Sequence, residues 1–153
     1  MKTAHRTAAK AKRYYADPTS WITTLAANSD QCPQHATSIV VKVRTAFERL
    51  KSGSGEPADF DRVGAAINVG LVRSESIDPL AEQTMQAGAD AMVECDGFWQ
   101  RHGRFGFTGP GLTAVTDAIE LYEGIVRMSK PIQMERAVEE VARRMLAKGQ
   151  VAA

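Results

Sequence analysis

The chain has 153 residues, 44% of them hydrophobic, which suits one domain with a real core and is short for two. Its formal net charge of +1 argues against a strongly basic nucleic-acid-binding body. That charge is uneven: Lys2, Arg6, Lys10, Lys12 and Arg13 stand in the first 13 residues with no acid, leaving 14 of the 19 basic groups against all 18 acidic ones, a net of −4.

Residues 1–16 therefore read as a basic arm without an apolar stripe to hold it to a body. No apolar run follows the basic start, so no secretory signal is expected, and no stretch is long and apolar enough for a membrane span. The two cysteines, Cys32 and Cys95, do not form a disulfide framework and fit a reducing, cytoplasmic setting.

Asp17-Pro18 reads as a helix cap followed by a first-turn proline, with Trp21, Ile22 and Leu25 facing inward up to about residue 27. A second helix is predicted from 34 to 51 on the period of Ile39, Val40, Val43, Phe47 and Leu50. Ser52-Gly-Ser-Gly55 breaks it, with Gly53 as the terminator. Pro57 opens a third, placing Phe60, Val63, Ile67 and Leu71 inward, and Gly64 and Gly70 mark a close crossing.

Asp78-Pro79 repeats the start signal, and a fourth helix should reach about residue 100. It carries two adjacent stripes, Leu80, Thr84, Ala87, Ala91, Cys95 and Phe98 beside Ala81, Met85, Gly88, Met92 and Trp99. So wide a face predicts a central helix packed on two sides, with a surplus for contact between copies at Met85, Met92 and Trp99.

Thr108 caps a fifth helix, Pro110 fits its first turn, and Leu112, Val115, Ile119, Tyr122 and Val126 draw its apolar stripe. Phe105 and Phe107 are placed to fold back on that stripe as a hydrophobic staple. Pro131 starts a sixth helix with Met134, Ala137, Val138, Val141 and Met145 inward and Glu139–Arg143 and Glu140–Arg144 pairs outward. The sum is an all-α, single-domain bundle of five to six helices with short loops, over residues 17–148.

Chemistry is thinner. Cys32-Pro-Gln-His35 is half a zinc site, and Cys95, His102 and His5 supply no second close pair, so no metal or other cofactor is expected. Asp117, Glu120 and Glu123 line one flank and read as a solvated face. Asp90 and Glu94 are like charges one turn apart, for which Arg101 and Arg104 offer neutralisation. His102 has no nucleophile or orienting acid tied to it by spacing, and the chain reads as a non-enzyme.

The glycine-rich turn at 103–111 is a candidate anion- or partner-binding turn through Arg101, Arg104, Thr108 and Gly109, because a helix N-terminus and two arginines suit an anion. It lacks both the GxGxxG and the GK[ST] patterns, and a tight interhelical turn plugged by Phe105 and Phe107 is the favoured reading. For nucleic acid, the arm residues Lys2, Arg6, Lys10, Lys12 and Arg13 and the last helix, with Arg136, Arg143, Arg144 and Lys148, are the candidates.

The basic start, Asp17-Pro18 with Trp21, the Gly-x-Gly break, and above all Gly103-Arg104-Phe105-Gly106-Phe107-Thr108-Gly109 before a helix with Glu120-Leu121-Tyr122 resemble a group of small helical proteins encoded by phage-like and mobile elements of proteobacteria. The similarity spans residues 16 to 145. The group usually has an acidic residue where Gly111 stands. The resemblance implies a bacterial cytoplasm and an accessory gene that regulates a mobile element or interferes with a host system, and it supplies no catalytic residue. The expected function is binding another protein (its own copy, a host protein or an element-encoded one), and the competing one is nucleic-acid association through the arm and last helix.

Overall fold

The computed structural model describes residues 33–151, which form five helices and, among themselves, no strand. They are α1 (Pro33–Ser52), α2 (Pro57–Ser74), α3 (Pro79–His102), α4 (Gly109–Met128) and α5 (Pro131–Val151). Each matches a predicted helix within a residue or two at its start. The basic arm and the helix predicted at 17–27 lie outside the described residues.

Proline opens four of these helices and follows the first residue of α4, where a missing N–H costs no intrahelical bond. Asp78 caps α3 by accepting the Leu80 N–H at 3.0 Å, and Thr108 caps α4 by accepting the Gly111 N–H at 3.1 Å. At the start of α2, Asp59 reaches back to the Glu56 N–H at 2.9 Å and also accepts from Arg49 at 3.0 Å, which is how a carboxylate this buried stays satisfied. Gly53 and Gly103 take the left-handed conformation (φ 81° and 73°) that stops α1 and α3.

The main core lies between α1, α2, α3 and α4. It contains Val43, Phe47 and Leu50 from α1, Phe60, Val63 and Ile67 from α2, Met85, Met92 and Cys95 from α3, and Val115, Ile119 and Tyr122 from α4. A second, smaller core joins α2 to α5 through Ala65 and Val69 on one side and Ala137, Val138, Val141 and Met145 on the other. The central helix is therefore α2, which packs against all four others, and not α3 as its two stripes suggested. The physical reason is in its composition. From Val63 to Val72 only Asn68 is polar, and Gly64, Ala65, Ala66 and Gly70 let neighbours approach from several sides.

The close crossing expected at Gly70 is present, and Gly88 makes another that the sequence did not single out. A Cβ on Gly70 would lie 2.5 Å from the Met85 Cε, and one on Gly88 would lie 2.5 Å from the Ala118 Cβ. Helix α3 does pack on two sides, against α2 and α4, but its first stripe is buried only in its later part, at Ala91 and Cys95. Met85, Gly88, Ala91, Met92 and Cys95 turn inward while Leu80 and Ala87 face solvent.

Candidate functional site

Thr108 and the glycines on either side of it build the turn from α3 to α4. Gly103 ends α3 with its N–H on the Trp99 carbonyl at 2.8 Å. The chain then drops Phe105 between Phe60 and Trp99, with ring centroids 5.2 and 5.3 Å apart and both pairs stacked at 9°. Phe107 meets Phe47 of α1 edge-on at 5.8 Å. The two phenylalanines thus plug the gaps between α1, α2 and α3, in the same core as Val115, Ile119 and Tyr122 of α4. Gly106 is required by closeness, since a Cβ there would come within 2.7 Å of the Phe98 ring.

All four residues assigned to an anion or partner in this turn (Arg101, Arg104, Thr108 and Gly109) are exposed. Their geometry favours an interhelical turn. The Thr108 hydroxyl takes the Gly111 N–H, the Thr108 carbonyl takes the Leu112 N–H at 2.9 Å, and Pro110 has none to offer. The start of α4 is thereby capped from within, and only the Gly109 N–H is left of the first four positions. Arg104 lies over the Phe98 ring at 5.7 Å, and Phe98 also contacts the His102 ring at 4.3 Å. Among the described residues no ion pair joins Arg101 or Arg104 to Asp90 or Glu94. Asp90 instead accepts from the Gln86 amide at 3.0 Å.

The methionines assigned to a contact between copies need correction. Met85 and Met92 are fully buried within the chain (0% exposed), Met85 against Gly70, so neither is presented to a second molecule. Each contributes about 1.5–3 kcal/mol by leaving water. Trp99 is half-buried on Phe105.

Cys95 sits in the same core, and burial pushes its thiol up to about 11, with the Gly106 N–H working in the opposite direction. Such a thiol is not a nucleophile at neutral pH. Cys32 and His5 lie outside the described residues, and the Cys32–His35 half-site therefore does too. Among the described residues no three of His, Cys, Asp and Glu cluster as metal ligands would, and no helix is long and apolar enough to cross a membrane.

The acidic flank of α4 is partly engaged. Glu123 accepts from the Arg44 Nε at 3.1 Å and from Arg127 at 2.9 Å, which holds its carboxyl below the usual range, while Asp117 and Glu120 stay exposed. On α5, Glu140 binds both Arg143 (2.5 Å) and Arg144 (2.9 Å), and Arg144 also clamps Glu75 at 2.6 and 2.8 Å. Glu140 is held down to about 2 by Arg143 first and Arg144 second. Two of the four cations offered to nucleic acid on this helix are therefore already neutralised within the chain. The arm residues Lys2, Arg6, Lys10, Lys12 and Arg13 lie outside the described residues.

The sequence reading missed a different surface. Arg73 donates to the Ser76 hydroxyl at 2.7 Å and to the Ser129 hydroxyl at 3.1 Å, tying the α2–α3 turn to the α4–α5 turn. Around this tie stand Ile77 (36% exposed), Leu80 (67%), Met128 (62%) and Ile132 (47%). Half of the large hydrophobic side chains exposed among the described residues thus flank these two tied turns. Together they expose on the order of 400 Å², within the size range of the largest apolar patch on an ordinary monomer, which is often functional. Their sequence signal is weak because each is a lone apolar residue beside a turn, and only the fold brings them together.

The chain matches no family model, no curated protein and no solved structure.

Proposed function

We propose that this chain is a non-enzymatic helical interaction protein that acts by contact with another protein through the apolar end of its bundle. The observation that supports this is the gathering of Ile77, Leu80, Met128 and Ile132 at two turns held by Arg73. A patch of about 400 Å² is roughly half of what one partner gives to a standard interface, which fits a weak, reversible contact. The first partner to test is a second copy of the chain. An accessory or regulatory role in a phage or mobile element, in the cytoplasm, rests on the resemblance of the 103–109 turn and the helix after it.

Light scattering over a concentration series at low and high salt tests the reading, on the parent and on a Leu80→Glu, Met128→Glu double variant. The expected result is association that grows with concentration, is not weakened by salt, and disappears in the variant. A monomer under every condition, or association untouched by the variant, removes this end as a contact between copies.

A further inference from the structure

The two turns around Arg73 carry opposite charge. Residues 74–84 hold Glu75, Asp78 and Glu82 and no base, whereas residues 124–134 hold Arg127 and Lys130 and no acid. The charges interleave with the exposed apolar side chains: Asp78 stands between Ile77 and Leu80, and Lys130 between Met128 and Ile132. Yet among the described residues no ion pair joins one turn to the other. Glu75 is taken by Arg144 and Arg127 by Glu123, while Asp78 accepts the Leu80 N–H. The side chains of Glu82 and Lys130 are exposed, with no bonded partner among the described residues.

Such a surface selects its occupant. A polyanion or an anionic lipid surface is repelled by the acidic turn, and a uniformly basic partner by the basic one. What fits is an apolar patch with both signs in the reverse order. The same patch rotated by half a turn has that order, because a two-fold axis sets each residue against its counterpart across the contact. Exposed opposite charges add little to affinity, but like charges brought face to face are costly. The apolar side chains therefore supply the attraction and the charges choose the orientation.

We propose that two copies of the chain meet at this end about a two-fold axis, the acidic α2–α3 turn of each copy against the basic α4–α5 turn of the other. The proposal rests on reading this end as a contact surface, and it adds which partner and which way round. Closure about the axis stops assembly at the dimer. The area that each copy offers is about half that of a standard interface, so the dimer parts readily.

Two variants test it, each reversing the free charge of one turn. Asp78→Asn with Glu82→Lys alters the first turn, the asparagine keeping the cap of α3, and Lys130→Glu alters the second. All three positions are exposed, so their replacement does not disturb the core, and the helical signal should be unchanged. Light scattering over a concentration series at low salt is run on the parent, on each variant and on their equimolar mixture. The expected result is a parent that stops at the mass of two chains and variants that associate about tenfold or more weakly. The mixture should regain the parent's strength, since the two altered turns then face each other and the two unaltered turns do likewise. At about 1 M salt the Debye length falls to about 3 Å, and each variant alone should return toward the parent.

Variants as strong as the parent overturn the proposal, as does a mixture no stronger than its components or a parent that grows beyond two chains. The Leu80→Glu, Met128→Glu variant separates this inference from the reading beneath it. If that variant abolishes association while the charge variants leave it unchanged, the contact surface stands and the two-fold pairing falls. If the parent is a monomer throughout, the contact between copies falls and the pairing goes with it.

Discussion

The two cores that share α2 are built differently. The main one is aromatic and crowded: Phe60, Phe105 and Trp99 stack in series, and Gly70 and Gly88 let α3 come close to α2 and α4. The smaller one is aliphatic, made of Ala65, Val69, Ala137, Val138, Val141 and Met145, and charge pairs at its edge help to hold α5. A dense core distributes a defect over every helix, whereas a thin one releases the single helix that it holds. The contrast predicts where each lesion will be felt.

Phe105→Ala should cost the most, about 3–5 kcal/mol, because it empties the slot between Phe60 and Trp99. Urea unfolding followed by circular dichroism should show one transition at lower denaturant, and loss confined to a single helix would break the contrast. Gly88→Ala comes next. Its methyl would collide with Ala118, an overpacking cost of about 1–3 kcal/mol that outweighs the gain of up to ~1 kcal/mol in helix propensity. An unchanged or raised midpoint would show that α3 and α4 can separate freely.

Val141→Ala should cost about 1–2 kcal/mol and act locally. Amide exchange should quicken along α5 while α3 and α4 keep their protection, and equal quickening everywhere would merge the two cores into one. Arg144→Ala should be the mildest at under ~1 kcal/mol, since its pairs with Glu75 and Glu140 are near the surface. These pairs also set a pH dependence. Glu75 and Glu140 are held below the ordinary 4.5, the latter to about 2, so their contribution is complete above that range and is lost as pH falls toward 2. Opening of α5, read as exchange corrected for its intrinsic pH dependence, should therefore rise only below about pH 4.5 and toward pH 2, and Arg144→Ala should flatten that rise.

Much of this architecture is legible in the sequence because its signals are local. Thr108, Asp78, Pro57 and Gly53 mark helix ends by their own chemistry, and the observed caps and stops fall on those residues. The rank of the helices was harder to read. The alanines and threonine in the stripe from Leu80 to Phe98 suit a buried or an exposed face equally, so the pattern made α3 look wider than it is. The better signal lay in α2, where Asn68 is the lone polar residue in ten.

Contacts distant in sequence left no trace in local spacing. Arg144 was read against Glu140 alone, and its partner Glu75 lies 69 positions away. The destinations of Phe105 and Phe107 depend on where α1 and α2 stand, which no spacing in the turn encodes. The apolar end leaves no local trace for the same reason, since the turns that carry Ile77 and Ile132 are brought together only by Arg73.

The arrangement of α5 has a consequence for the order of assembly. The first four described helices can pack as they emerge during synthesis, each on the one just made: α2 on α1, α3 on α2, α4 on α3. Helix α5 instead returns to α2, past the two helices made in between. Until residues beyond 131 have left the ribosome, Ala65, Val69 and Val72 lack the cover that, among the described residues, α5 gives them. For that interval the nascent bundle carries a second apolar surface, where a chaperone can bind or another nascent chain can adhere.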